Sequence, residues 1–217
     1  VYISMLFGHH TSAHPQVHHR YVASNRDPNS ARLGEGYYRF ALRAWIGSFR
    51  AGLVAENARR AARSRGLHPY AVYFGGAAGV LVLAWGIGGL PGLLALIGLA
   101  GYAQSQLLIS DYVQHYGLRR QVLSDGRLEP VNPMHSWDSA HVFSSWLMLN
   151  APRHSDHHAH PARRFPELSL PARGTSPTLP HSLPAMSVLA LFPPLWRRLM
   201  DPRAAYWQSV ERAPIVD

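Results

Sequence analysis

The chain has 217 residues, no cysteine and a formal net charge of +9, and all 21 of its basic residues are arginines. Lack of cysteine excludes disulfides, thiolate zinc sites, iron–sulfur clusters and cysteine nucleophiles within this chain, so any metal must be held by nitrogen and oxygen ligands. The positive charge points to nucleic acid, anionic lipid or an acidic partner, and the arginine positions decide between them. Arg50, Arg59, Arg60, Arg63 and Arg65 precede the longest apolar region, and Arg119 and Arg120 follow it. Membrane spans are flanked in this way on their cytoplasmic side, whereas a nucleic-acid groove interleaves its arginines with aromatics. Membrane lipid is therefore an expected partner and nucleic acid is not.

In chain order, residues 1–8, VYISMLFG, read as the end of a helix. They start at Val1 in the middle of an apolar run, so an N-terminally truncated fragment is expected. His14, His18 and His19 follow at i, i+4 and i+5. On an α-helix the first two share a face, and the third stands about 140° around, placed for a second ion. Residues 36–65 read as an arginine-rich amphipathic helix lying on the membrane face.

Residues 70–109 contain no charged side chain. A bilayer core needs about 20 apolar residues per helix, so this stretch predicts a transmembrane hairpin turning at Gly86 to Gly92. Arginines lie at both ends and none at the tip, which places both ends, and the histidines beside them, on the cytoplasmic side. His115 closes the second arm. Residues 121–133 and 166–184 read as loops. His154, His157 and His158 stand at i, i+3 and i+4, within a helical arc of about 100°, so they can converge on one ion or on two neighbouring ions. Residues 184–200 are too short and too proline-broken to span, and read as interfacial or re-entrant.

Any one histidine pair reads most simply as a solvated surface feature. Two triads and His115 on one side of a membrane hairpin read as a metal site. Seven imidazoles exceed the four ligands of a zinc ion. An all-nitrogen set suits iron or copper and a dinuclear centre. The fold class expected is all-α, an integral-membrane helical bundle with a cytoplasmic histidine-rich site, in a single domain over residues 1–217.

Several stretches carry a resemblance. HPQVHHRYVASNRDPNSARLGEGYYRF (14–40), DYVQHYGLRR (111–120) and RHSDHHAHPARRF (153–165), with HSWDS (135–139) and PPLWRRLMD (193–201), resemble the integral-membrane di-iron alkane hydroxylases of the membrane fatty acid desaturase/hydroxylase superfamily. The resemblance runs over essentially the whole chain, and its last histidine motif is the most specific. It implies two iron ions held by His14, His18, His19, His115, His154, His157 and His158, with two further histidines upstream of Val1. It also implies terminal hydroxylation of medium-chain n-alkanes with O2, an apolar small-molecule substrate, electrons from rubredoxin and rubredoxin reductase, and a multi-pass place in the bacterial inner membrane with a cytoplasmic active site. Other superfamily activities are a methyl-arene or terpenoid hydroxylase or a fatty acyl desaturase. A metal-binding or transport protein without catalysis is the reading from another class.

The sequence departs from the family pattern at Ala13, Asp111 and Gln114, where the family carries an acidic residue, Asn and Glu. Asp156, Asp27, Glu35 and Asp111 are the carboxylates expected to orient ligand imidazoles by accepting their other N–H.

Overall fold

The computed structural model describes residues 1–63 and 66–212, so Arg65 of the flanking arginine cluster lies outside the described residues. These residues form helices and loops, with only isolated β-bridges at Val122–Leu128 and Asp138–Thr178. The helices are α1 (His10–Ala13), running through a π-helical turn (His14–His18) into α2 (His19–Tyr21), then α3 (Tyr37–Arg63), α4 (Pro69–Gln114), α5 (Val142–Leu147), α6 (His154–Ala159), α7 (Leu183–Ala190) and α8 (Pro193–Arg212). Residues 1–8 are not the end of a helix. They wind through successive turns, and Leu6 stands at φ 55°, which a continuing helix does not allow.

The amphipathic reading of 36–65 corresponds to α3. Its buried stripe, Tyr37, Phe40, Ala44, Ser48 and Glu56, follows helical spacing and faces the site and the hairpin. The apolar stretch becomes α4, and α4 is two arms. Gly89, at φ 57° and ψ −146°, occupies a conformation essentially restricted to glycine. A Cβ on Gly92 would stand 2.6 Å from the carbonyl oxygen of Ala84, eight residues earlier. A straight helix would separate those residues by about 12 Å, so the chain doubles back here. The bases of both arms meet one stretch of α3. Tyr70 Oη donates to the Phe49 carbonyl at 2.8 Å, and Trp45 Nε1 donates to Gln104 Oε1 at 2.8 Å.

Along this hairpin Val82, Leu83, Trp85, Ile87, Leu90, Leu94 and Leu99 are exposed. A hairpin in the core of a soluble protein would bury them, and a continuous apolar surface of this size marks contact with lipid or other helices. This is the single helix among the described residues long and apolar enough to cross a membrane. Residues 184–200 break between α7 and α8 as the prolines require. α8 buries Trp196, Met200 and Ala204, at i, i+4 and i+8, against Tyr112 and Tyr116. Tyr116 Oη also donates to Asp201 Oδ1 at 2.5 Å. The core therefore lies at the base of the hairpin, and there three separate segments that carry histidines come together.

Candidate metal centre

Seven histidines meet in two groups. His18, His115, His154 and His158 are all buried, and His14, His19 and His157 are half-buried. Within each group the nearest ring nitrogens lie within 4.8 Å of one another. The groups adjoin, with ring centroids 4.7 Å apart at His19–His158 and 5.2 Å apart at His14–His18.

The helix geometry explains the sorting. In the segment from His10 the winding is not α-helical throughout. The N–H of His19 bonds to the carbonyl of His14, the i→i+5 closure of a π-turn. That wider turn brings His19 back over His14, and their rings are 4.5 Å apart. This corrects the α-helical expectation: His14 pairs with His19, and His18 is the one turned toward the other group. On α6, His154 and His158 lie one turn apart and enter the buried group, while His157 diverges into the half-buried one. His115 is the C-cap of α4 and is fully buried.

The chemistry of these nitrogens fits a cation. His154 Nε2 lies 2.9 Å from His115 Nε2 and 3.1 Å from His158 Nε2. Nitrogens bound at about 2.1 Å to one ion stand about 3.0 to 3.4 Å apart. A neutral imidazole nitrogen offers one proton or one lone pair, so His154 Nε2 cannot fully satisfy both of these neighbours by hydrogen bonding. His18 Nε2 is buried with no hydrogen-bond partner in the structure. Burial drives His115, His154 and His158 well below the ordinary histidine range, and holds His19 at about 4. It likewise lowers His14 and His157. These rings are therefore neutral at pH 7, the form that binds metal. His18 is the exception. Burial works against its charged form, but the charge and hydrogen bond of Asp27, with Asp111 nearby, outweigh that and raise its pKa.

The carboxylates divide. Asp27 Oδ2 accepts from His18 Nδ1 at 2.9 Å and is buried, so it orients a group histidine directly. Asp111 reaches no histidine and accepts from Asn29 Nδ2 at 2.6 Å. Asp156 was expected to hold a ligand imidazole and does not. It points away from both groups and binds His160 Nδ1 at 2.8 Å, Arg163 at 2.6 Å and the Ser169 N–H at 2.9 Å, fastening the following loop. Glu35 is also a fastener. Its carboxylate pairs with Arg43 at 2.7 Å and caps the Arg32 N–H at 3.0 Å, closing the loop before α3.

Two side chains matter that sequence spacing did not single out. Asp138, in HSWDS, accepts from the Ser155 N–H at 2.8 Å and Ser155 Oγ at 2.5 Å, securing the start of α6. Asn29 joins Asp27 to Asp111. His9 and His10 remain outside both groups. His9 is buried among Phe7, Trp45 and Phe49, and His10 stacks on Phe7.

A helical chain that gathers seven histidines into two adjoining groups at the base of an apolar hairpin is a metal-binding protein in design. The chain belongs to the fatty acid desaturase family, which it matches over residues 1–190. It is 37% identical over 212 residues to alkane 1-monooxygenase 1 of Alcanivorax borkumensis, an alignment covering 93% of this chain and 50% of that protein. It is 33% identical over 211 residues to the alkane 1-monooxygenase of Ectopseudomonas oleovorans, covering 93% and 51%. The xylene/toluene monooxygenase hydroxylase component of Pseudomonas putida is 27% identical over 213 residues, covering 93% and 54%. The chain thus spans about half the length of these curated relatives.

Proposed function

We propose that this chain carries the metal-binding half of a membrane-bound non-haem di-iron monooxygenase that hydroxylates the terminal carbon of medium-chain n-alkanes, using O2 and electrons from rubredoxin. The observation that carries the reading is the pair of all-histidine groups, four buried and three half-buried, adjoining at the hairpin base. Iron bound by these two groups would supply the oxidising power that an unactivated C–H bond demands. Relatives named alkane 1-monooxygenase support the substrate class.

The protein's own contributions are binding, orientation and exclusion of water. The chain around His115 is dry: Tyr112 on the hairpin's second arm, Tyr116 just past its end and Trp137, whose Nε1 donates to the Tyr116 carbonyl at 2.8 Å, are fully buried. A crevice of about 580 Å³, lined by Tyr37, Tyr102, Ile109, Met148, Leu183 and Val188, opens beside that arm. Ile109 precedes His115 by less than two helical turns. An alkyl chain partitioned into the bilayer could reach the histidines from there. A transporter would hold its ligands near the bilayer midplane. Here they sit at the hairpin base, which favours the enzyme.

Membranes containing the full-length protein, with the upstream histidine motif that the resemblance implies, supplied with O2, rubredoxin, its reductase and NADH, should convert n-octane to 1-octanol, and the purified full-length protein should hold two irons. One iron or fewer, or stoichiometric zinc with no alcohol formed, would sink the reading. Hydroxylation of toluene in place of octane would move it to the methyl-arene class.

The arginine distribution supports an orientation in the bacterial inner membrane with the histidines on the cytoplasmic side. A reporter fused at Gly89 should then be periplasmic and one at Arg120 cytoplasmic. Both reporters on one side would rule out two spans.

A further inference from the structure

A line of buried polar groups runs from the hairpin to one ligand of the four-histidine group. Asp111 Oδ2 accepts from Asn29 Nδ2 at 2.6 Å. The backbone N–H of Asn29 donates to Asp27 Oδ1 at 3.0 Å. Asp27 Oδ2 accepts from Ser30 Oγ at 2.6 Å and from His18 Nδ1 at 2.9 Å. His18, Asp27, Asn29, Ser30 and Asp111 are each at most 7% exposed. Asp111 also stands one turn before His115, whose N–H bonds to the Asp111 carbonyl at 3.0 Å.

We propose that Asn29 and Asp111 are positioning residues, which act through Asp27 to hold His18 as an Nδ1–H imidazole presenting Nε2 to the metal, in fixed register with His115. The proposal rests on the metal reading above. Both oxygens of Asp27 are engaged, so its carboxylate has one orientation. An ionised carboxylate only accepts, so the ring nitrogen facing it must carry the proton, and in the neutral ring that binds metal the other must offer its lone pair. That other nitrogen is the His18 Nε2 without a partner, buried in the four-histidine group.

The position of Asp111 gives the line its second use. His18 comes from the π-turned segment and His115 from the end of the hairpin, 97 residues apart in the chain, and their rings are 4.8 Å apart. The amide of Asn29 clips the loop behind His18 to the helical turn that delivers His115. A plain structural fastener would hold the loop without caring which His18 nitrogen bears the proton. A positioning line fixes both the spacing and the tautomer. Among the described residues the half-buried group has no such line: the Asp27 carboxylate bonds to His18 and the Asp156 carboxylate to His160 and Arg163.

The test is Co2+ titration of the purified full chain in detergent, followed by the cobalt visible bands. The wild type should bind two ions. Asn29→Ala and Asp111→Leu should weaken one of the two sites about 10-fold, the lower end of what a lost partner behind a ligand costs, and shift that site's bands while leaving the other site unchanged. Asp111→Asn should bind as the wild type does, because its amide oxygen accepts the same bond. Wild-type affinity and bands in both Asn29→Ala and Asp111→Leu would overturn the proposal. A wild type that binds no Co2+ would instead overturn the metal reading beneath it. A second measurement needs no variant. In the metal-free protein, at a pH above the raised His18 pKa where the ring is neutral, nitrogen-15 NMR of labelled histidine should find His18 as the Nδ1–H tautomer, and the Nε2–H tautomer there would refute the proposal.

Discussion

On the proposed reading of one ion in each histidine group, replacing His115 by alanine should cost the protein one ion and leave the other in place. His115 meets all three of the other buried imidazoles, with ring centroids 4.8 Å from His18, 4.8 Å from His154 and 4.9 Å from His158. Its Nε2 faces the metal position, while its Nδ1 lies 3.5 Å from the His135 carbonyl and from Ser136 Oγ, the partners that favour a proton on that side. Loss of even an outer partner of a ligand typically lowers metal affinity about 10- to 100-fold, so loss of this ligand should exceed about 100-fold at the buried site. Metal analysis of the purified variant should read one ion per chain. His157→Ala should give the same stoichiometry for the opposite reason, because it removes a ligand of the half-buried group. The double variant should hold no metal. His181→Ala, on an exposed loop residue, should keep two. A His115→Ala protein that retains both ions would show that the groups are not separate sites.

That the histidines belong together was legible in the chain, because spacing of three and four residues on short helices forces side chains onto shared faces whatever the rest of the fold does. How they divide was not. A π-turn is a local rewinding by one residue, and no residue in HPQVHH announces it apart from Pro15, which withholds an N–H from the first turn. Without it His14 and His19 point apart; with it they meet.

The hairpin was legible for a different reason. Forty uncharged residues broken by a glycine cluster have few other structures open to them. The opening apolar residues 1–8 misled because composition alone cannot show the positive φ at Leu6.

The carboxylates divide along the same line. Asp27 reaches His18 over nine residues, within the loop that follows the histidines, so proximity in sequence was a fair guide. Asp156 lies between two ligands in sequence, yet its neighbours on either side project the other way. Its partners arrive from residues 160–169, where a loop folds back over it. Glu35 is claimed by Arg43 one helix away. Asn29 and Asp138 were silent because their significance depends on Asp111 and Ser155, each of which only the tertiary fold brings near.

Replacing Asp138 by alanine should unseat both metal groups at once, although Asp138 touches no histidine side chain. α6 is six residues long and has no side-chain cap of its own. A helix so short is not stable alone and depends on its surroundings. Asp138 serves its first turn from a distance. Its carboxylate accepts the Ser155 N–H at 2.8 Å and Ser155 Oγ at 2.5 Å, and Ser155 is fully buried. The backbone of Asp138 is clamped in turn, its N–H to the Pro177 carbonyl at 3.0 Å and its carbonyl to the Leu179 N–H at 2.8 Å. Alanine leaves two buried donors without acceptors, at about 1 to 3 kcal/mol each, and should lower the Tm by about 5 to 10 °C. α6 carries His154 and His158 for one group and His157 for the other, so metal content should fall below one ion per chain. Asp138→Asn should recover much of the loss, because its amide oxygen accepts the Ser155 N–H and its Nδ2 can donate to Ser155 Oγ. Burial pushes the Asp138 carboxyl up to about 6. Because the folded pKa lies above that of an unfolded aspartate, this group's contribution to stability is fully present below about pH 4 and lost as pH rises through 6. The Tm gap between wild type and Asp138→Ala should therefore be wider at pH 5 than at pH 7.5. An alanine variant with wild-type Tm and two bound ions would show that α6 is held by its core contacts alone.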